Sequence, residues 1–265
     1  MGGFVFVGLG LYDDRDVTLR GLEAARAADA LYAEFYTSRL LGAAEGDLEA
    51  RFGKPVRVLS REEVEDGALL LEAAGEQSVA FLVAGDPMAA TTHVDLRLRL
   101  HRAGVPTRVV HGVSALTAAA GALGLQAYKF GRTATLPLRE PGYAPASPYE
   151  VLAANRSAGL HTLALLDVKA DRLMTAPEGL AYLLECEEEL GRDAFGRETL
   201  ACVVGRLGSP EPTLLADRVH GLLEADPGPP PHTLVVPGDL HFLEVEAMVE
   251  FARLPPPIAR ELSSL

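Results

Sequence analysis

The sequence predicts an α/β protein made of two α/β domains. The chain has 265 residues, of which 48% are hydrophobic, and this is enough to bury a substantial core. Short apolar runs typical of buried strands alternate with helical patterns, which favours parallel strands joined by helices. In the first part of the chain, three of the apolar runs end in loops that contain glycine.

These three runs predict strand–loop–helix units. Residues 4–7 form the first strand, and Thr18 then opens a helical pattern. Residues 78–84 form the second strand and precede a helix at about 93–102. Residues 108–110 form the third, and Ser114 is suited to cap the next helix, because its hydroxyl can accept a first-turn amide hydrogen.

The second half alternates less regularly. Four prolines between residues 137 and 148 predict a long loop. Strands are predicted at 162–166, 200–204 and 233–236, and helices at 177–190 and 241–254. We place the domain boundary near Gly112. This gives an N-terminal domain of residues 1–112 with a parallel sheet and a C-terminal domain of residues 113–265 with a mixed sheet.

Charge and composition argue against several classes of protein. The chain carries 24 Lys and Arg against 37 Asp and Glu, a net charge of −13. This acidic balance argues against binding to nucleic acids and anionic membranes, because both require a basic surface. Net charge is a sum over the whole chain, so a local basic patch stays open. The first residues lack the pattern of a signal peptide, and no apolar segment reaches the length of a membrane span. We therefore expect a soluble, cytoplasmic protein with no nucleic-acid or membrane partner.

The familiar metal and hydrolase signatures are also missing from the sequence. Cys186 and Cys202 are the only cysteines and have no CxxC spacing, and the seven histidines show no metal-binding spacing. Neither a GxSxG nucleophile motif nor a GxxxxGK[ST] phosphate loop occurs. We expect no metal site.

The first glycine loop indicates the kind of ligand. Gly8 and Gly10 begin a pattern like a dinucleotide-binding loop, but Asp13 stands where the third glycine should be. Asp14 and Asp16 follow, and carboxylates disfavour a pyrophosphate at a helix N-terminus. A nucleoside-like cation without a phosphate chain fits better, and S-adenosylmethionine is such a ligand. Equally, these carboxylates can simply complement the positive end of the next helix.

Asp86 lies between Gly85 and Pro87 at the end of the second strand. The proline restricts Asp86 to an extended conformation. A carboxylate held there can accept hydrogen bonds from a ribose or an ammonium group. The alternative is that Asp86 caps the following helix.

Longer motifs resemble those of the diphthine synthase family. The segment VGLGLYDDRDVT spans residues 7–18, AEFYTS spans 33–38, and GDP at 85–87 is followed by ATTH at 90–93. Further matches occur in order along nearly the whole chain, at 59–62, 124–126, 128–131, 159–163, 166–167, 208–209, 231–232 and 236–238.

The resemblance implies a class III S-adenosylmethionine-dependent methyltransferase of the tetrapyrrole methylase type. It implies two α/β domains with the cofactor in the cleft between them, and a homodimer. The implied substrate is the amino group of a 3-carboxy-3-aminopropyl-modified histidine of translation elongation factor 2, an intermediate in diphthamide biosynthesis. Archaeal members of the family add three methyl groups, and S-adenosylhomocysteine is the other product.

Carried over residue by residue, the resemblance places eight cofactor contacts in this sequence. They are Leu11, Asp86, Ala89, Ser114, Ala115, Leu166, Leu207 and His232. Ala89 stands where larger aliphatic residues are common, and Leu207 where a smaller one is usual. An activated sulfonium methyl needs mainly alignment with the amine, and the sequence assigns no catalytic base.

Three other functions remain open at this point. One is a methyltransferase of the same fold that acts on a corrin or porphyrin. A second acts on ribosomal RNA, which the acidic charge disfavours. A third is a non-catalytic nucleoside-binding protein, which the cofactor loops in both halves disfavour.

Overall fold

The structure, a computed structural model, describes residues 2–169 and 172–263. It divides into two compact units. Unit 1 comprises Met1–Ala115 and Gly208–Pro210, and unit 2 comprises Leu116–Leu207 and Glu211–Leu265. The division after Ala115 lies three residues beyond Gly112, near which the sequence predicts the boundary. The prediction of two α/β domains is confirmed, since each unit contains its own five-stranded sheet.

Unit 1 has a fully parallel sheet with strand order β3-β2-β4-β1-β5. The strands are β1 (Gly3–Gly8), β2 (Ala30–Glu34), β3 (Val56–Val58), β4 (Ser78–Val83) and β5 (Thr107–Val110). Phe6 of β1 lies opposite Phe81 on one side and Val109 on the other. Because all strands run the same way, the loops that follow them lie at one edge of the sheet.

Helices cover both faces of this sheet. They are α1 (Leu19–Ala27), α2 (Glu45–Phe52), α3 (Arg61–Asp66), α4 (Ala68–Glu76) and α5 (His93–Arg102). Thr18 caps α1 by accepting the Gly21 amide hydrogen at 3.0 Å. Val5, Val7 and Leu82 pack on one face, and Phe4, Phe6 and Phe81 on the other. Burial on both faces explains why these strands read as continuous apolar runs.

Unit 2 has a mixed sheet with strand order β6-β7-β10-β8-β9. The strands are β6 (Ala134–Leu136), β7 (Thr162–Leu166), β8 (Leu200–Gly205), β9 (Thr213–Arg218) and β10 (His232–Val236). Only the pairing of β6 with β7 is parallel. The helices are α6 (Ala115–Leu123), α7 (Ser147–Ser157), α8 (Ala176–Leu190), α9 (Val219–Glu224), α10 (Phe242–Ala252) and α11 (Pro256–Leu262), with a 3-10 turn at Ala127–Lys129.

The last predicted helix is shorter than expected. The sequence pattern extends to residue 254, but α10 ends at Ala252, because Arg253 adopts a left-handed conformation with φ +57°. A separate helix, α11, follows the prolines at 255–257. Among the helices of residues 2–169 and 172–263, none is long and apolar enough to cross a membrane.

Candidate functional site

Three loops of unit 1 meet at the carboxyl edge of its sheet. The first loop follows β1, the second follows β4 and the third follows β5. A Cβ added at Gly8 would lie 2.4 Å from the Gly112 nitrogen, and one added at Gly112 would lie 2.3 Å from the Gly85 carbonyl oxygen. Because no side chain fits at these distances, glycine is required for the loops to pack together.

Backbone hydrogen bonds join the first loop to the second. The Gly85 amide donates to the Gly10 carbonyl at 2.7 Å, and the Gly10 amide donates back to Gly85 at 3.3 Å. Both residues have positive φ, +85° for Gly10 and +72° for Gly85, a conformation that glycine adopts without strain. Leu11 follows Gly10 directly and is half-buried.

The acidic residues of the first loop are engaged within unit 1. Asp13 is buried and accepts two hydrogen bonds from the Arg15 guanidinium, at 2.6 and 2.9 Å, and the bond to Arg15 is the main reason its pKa is lowered. Asp14 pairs with Arg51 at 2.6 Å. Asp16 accepts the Tyr12 amide hydrogen at 2.7 Å. Two of the three carboxylates are thus paired with arginine, and they repel phosphate less than the sequence suggests.

Asp86 is held by contacts from two loops. Its Oδ1 accepts the Met88 amide hydrogen at 2.9 Å, and its Oδ2 accepts from His111 Nδ1 at 2.7 Å. Asp86 does not cap α5, because its carboxylate is bonded at Met88, well before that helix begins at His93. The alternative role considered for Asp86 is therefore wrong.

His111 is the residue of this edge that sequence reasoning missed. It directly follows β5, so its position at a strand end was the available signal. Its contact with Asp86 connects the second and third loops. Ser114 follows in the same loop, and Ala115 begins α6. Five predicted residues of unit 1 therefore lie on these three loops or directly after them: Leu11, Asp86, Ala89, Ser114 and Ala115.

Residues 208–210 of the β8–β9 connection also group with unit 1. A Cβ added at Gly208 would lie 2.9 Å from Leu11 Cβ and 3.1 Å from Asp16 Oδ2. The backbone at Gly208 has φ +85°. Glycine therefore lets this segment approach the first loop closely. The backbone of residue 208 lies beside Leu11, one of the predicted cofactor residues.

The other three predicted residues lie along one edge of the sheet of unit 2. Leu166 ends β7, His232 begins β10, and the antiparallel pairing places Thr233 opposite Leu165. His232 pairs with Gly205, and Leu207 follows that glycine by two residues.

His232 presents an unpaired donor although it is only 5% exposed. Its Nδ1 accepts the Ala176 amide hydrogen at 3.1 Å, so the hydrogen of the neutral ring is on Nε2. Among the described residues, Nε2 has no hydrogen-bond partner. Burial, with a further contribution from Arg206, lowers the pKa of His232 and favours the neutral ring, although the backbone at residues 227–229 acts in the opposite direction. A buried donor without a partner suits a ligand that carries an acceptor.

Several motifs of the second half form a buried structural cluster in unit 2. Glu244 accepts hydrogen bonds from Lys129 Nζ at 2.6 Å, from His161 Nε2 at 3.0 Å and from the Gln126 amide at 2.8 Å. His161 Nδ1 in turn accepts the Gly238 amide hydrogen at 2.9 Å. We call Glu244, Lys129 and His161 the Glu244 hub. Lys129 and His161, which belong to two of these motifs, therefore stabilise the fold of unit 2. No direct role in ligand binding is assigned to them.

The chemistry available at the two sheet edges is that of binding and orientation. Unit 1 offers closely packed glycine-containing loops, the Asp86 carboxylate fixed by two hydrogen bonds, and small side chains such as Ala89 and Ala115. Unit 2 offers the Nε2 donor of His232. The part of the chain that the structure describes contains no group of three or more His, Cys, Asp or Glu residues suited to hold a metal ion.

Comparison with known proteins defines the class. The sequence matches the family described as Tetrapyrrole (Corrin/Porphyrin) Methylases over residues 3–221. The chain is a methyltransferase of this family, and its two α/β units agree with that assignment.

Individual relatives define the family more narrowly. The diphthine synthase of Methanothermobacter thermautotrophicus is 48% identical over 94% of this chain and 95% of the relative. That of Methanocella arvoryzae is 45% identical over 94% of this chain and 98% of the relative. A crystal structure of diphthine synthase superposes with a TM-score of 0.88 and 39% identity, covering 97% of this chain and 98% of that one. The chain belongs to the diphthine synthase family.

Proposed function

We propose that this protein transfers methyl groups from S-adenosylmethionine to the 3-carboxy-3-aminopropyl-histidine of translation elongation factor 2. The acceptor is the amino group, three methyl groups are added, and the product is an intermediate of diphthamide biosynthesis. The observation that carries this proposal is the 48% identity with a diphthine synthase over almost the full length of both chains.

We assign the cofactor to the eight residues that the sequence resemblance identified. In unit 1, Leu11, Ala89, Ser114 and Ala115 lie on or directly after the glycine-containing loops at the carboxyl edge of the sheet. Asp86 supplies a carboxylate that attracts the positive charge of the cofactor. In unit 2, the Nε2 hydrogen of His232 is a donor without a partner among the described residues. Leu166 ends β7, and Leu207 follows the end of β8 by two residues. These features fit a nucleoside-like cation.

Bound S-adenosylmethionine would supply an activated methyl group on sulfur, leaving S-adenosylhomocysteine. The chain's own residues then have to orient the acceptor amine, so that alignment provides most of the rate enhancement. They also have to keep water from the reacting atoms. The amine must be neutral to react, so its ammonium form has to lose one proton before each of the three methylations. The proposal assigns no residue as the acceptor of that proton and requires no metal.

The proposed function also includes a location, an oligomeric state and a class of partner that the protein does not bind. We place the protein in the cytoplasm, where its substrate factor acts in translation. We propose that it forms a homodimer, as the family resemblance implies. The net charge of −13 makes a nucleic-acid partner unfavourable.

The test is a transfer assay with methyl-labelled S-adenosylmethionine and elongation factor 2 that carries the aminocarboxypropyl histidine. We expect label on the modified factor and none on a factor with unmodified histidine. Binding of the cofactor without transfer would instead favour a non-catalytic nucleoside-binding protein. Transfer to a corrin or porphyrin, with none to the factor, would favour the tetrapyrrole alternative.

A further inference from the structure

Two sequence motifs that the proposed site does not use meet inside unit 1. Glu34 belongs to AEFYTS and ends β2, whereas His93 belongs to ATTH and begins α5. Both side chains are completely buried, and His93 Nε2 lies 3.6 Å from Glu34 Oε1. Because Glu34 pairs with Val83, it lies beside the strand that leads into the second loop.

The Glu34 carboxylate is fixed by the turn that follows it. Its Oε2 accepts the amide hydrogens of Tyr36 and Thr37, each at 3.0 Å. Its Oε1 also accepts a hydrogen bond from the Thr37 hydroxyl. These three donors compensate for the burial of the charge and give the carboxylate a defined position.

His93 connects this carboxylate to the second loop. Its Nδ1 donates to the Pro87 carbonyl at 2.9 Å, and the Thr91 hydroxyl donates to the same oxygen at 3.1 Å. The imidazole ring packs against Phe81, with ring centres 5.3 Å apart. Among the described residues, His93 Nε2 has no hydrogen-bond partner, and it lies 3.6 Å from Glu34 Oε1. The ring is thus confined between the Pro87 carbonyl, to which it donates, and the Glu34 carboxylate, which it contacts.

The loop that His93 holds contains a strained residue. Ala90 has φ +55°, a left-handed conformation that is unfavourable in free energy for any residue that has a Cβ atom. Such a conformation persists only where surrounding contacts impose it. The contacts of His93 and Thr91 with Pro87 lie on this loop, between the two predicted cofactor residues Asp86 and Ala89.

We propose that His93, oriented by Glu34, is a positioning residue for cofactor binding. By fixing the Pro87 carbonyl, it sets the conformation in which the second loop presents Asp86 and Ala89. The inference rests on the proposed function, because it assumes that this loop binds S-adenosylmethionine. It assigns His93 no contact with the cofactor, since its side chain is completely buried.

The experiment separates positioning from a purely structural role. The dissociation constant for S-adenosylmethionine is measured by calorimetry for the unaltered protein, His93→Ala, His93→Asn and Leu100→Ala. Asparagine keeps a nitrogen donor near the position of Nδ1, so it can still bond to Pro87. Leu100 is a fully buried residue of the same helix, further from the loop, so Leu100→Ala controls for a loss of core packing. Circular dichroism confirms that each variant is folded at the temperature used.

We expect His93→Ala to raise the dissociation constant on the order of tenfold to a hundredfold, because small displacements of binding groups have effects of that size. His93→Asn should recover much of the affinity, and Leu100→Ala should bind as the unaltered protein does. Equal affinity of folded His93→Ala and unaltered protein would overturn the inference, as would equal weakening by His93→Ala and Leu100→Ala. If His93→Ala does not fold, His93→Asn decides the question. A folded His93→Asn protein that binds S-adenosylmethionine as weakly as folded Asp86→Ala would contradict the role of the Pro87 bond. Failure of the unaltered protein to bind would instead contradict the proposed function itself.

Discussion

Asp86 Oδ2 accepts a hydrogen bond from His111 Nδ1 at 2.7 Å, and this contact joins the loops that follow β4 and β5. The Asp86 side chain is 13% exposed and that of His111 is 71% exposed. The carboxylate is thus held from the solvent side by a histidine and from its own loop by the Met88 amide. It is fixed at the sheet edge, where we propose that it binds the cationic cofactor.

Asp86→Ala should weaken the binding of S-adenosylmethionine strongly. The substitution removes the carboxylate proposed to hold the cofactor, and hydrogen bonds to charged groups contribute about 1.5–3 kcal/mol. Calorimetry should show a dissociation constant that is higher by at least about tenfold. Asp95→Ala is the matched control, because Asp95 likewise contacts a basic side chain, that of Arg99, but lies on α5. Unchanged affinity in Asp86→Ala would refute the assignment.

Gly112→Ala should disturb both the folding of unit 1 and its binding of the cofactor. The new methyl group would lie 2.3 Å from the Gly85 carbonyl oxygen, so the third loop has to move. We expect a loss of about 1–3 kcal/mol in the free energy of unfolding, measured by urea denaturation, together with weaker binding. Gly46→Ala is the control, since an added Cβ there meets nothing within 4 Å. A Gly112→Ala protein as stable as the Gly46→Ala protein would contradict this packing.

Ala90→Gly should stabilise the protein. Relief of the left-handed strain, worth about 1–2 kcal/mol, exceeds the entropic cost of glycine, about 0.5–1 kcal/mol. The free energy of unfolding should therefore rise by about 0.5–1 kcal/mol. Ala74→Gly, in the interior of α4, should lower it by about 1 kcal/mol. A loss of stability in Ala90→Gly as large as that in Ala74→Gly would show that the positive φ carries no strain.

Protonation of Glu244 should lower the free energy of unfolding in acid. Burial alone raises the pKa of this carboxyl, but the hydrogen bonds from His241, Lys129, Gln126 and His161 lower it to about 2, from an ordinary value of 4.5. A carboxyl with a lowered pKa stabilises the fold above its unfolded-state pKa. This contribution is lost as the pH falls from about 4.5 towards 2. The shift corresponds to about 3 kcal/mol.

Urea denaturation at several pH values measures this effect. Glu244→Gln should flatten the pH dependence of the free energy of unfolding between pH 4.5 and about 2. Glu246→Gln, an exposed neighbour on α10, should leave it unchanged. Burial also lowers the pKa of His161 in the folded protein. As the pH falls, this histidine is therefore protonated first in the unfolded chain, and the fold is destabilised below a pH of about 6.5. A Glu244→Gln profile that coincides with that of the unaltered protein would contradict the role of the Glu244 hub.

The strands that sequence patterns predicted best are those buried on both faces. β1 and β4 read as continuous apolar runs because helices cover each side of a parallel sheet. β9 gave no such signal, since most of its residues are half-buried and it ends in Asp217 and Arg218. Its place in the sheet comes from pairing with β8, a contact that local sequence does not encode.

The same distinction applies to the candidate site. Asp86 could be predicted because a glycine–aspartate–proline segment follows an apolar strand. The contact of Asp86 with His111, and that of Glu34 with His93, could not, because each joins residues on different loops or elements of unit 1. Only the folded sheet brings their side chains together.

The most direct test of the central claim is the mass of the modified peptide of elongation factor 2 after reaction with S-adenosylmethionine. The factor carries the aminocarboxypropyl histidine, and the same reaction with Asp86→Ala serves as a control. We predict a gain of three methyl groups that resists mild base, as expected for methyl groups on nitrogen. No gain in mass would contradict this prediction. A gain in mass that mild base removes would also contradict it, since that would place the methyl group on the carboxylate as an ester.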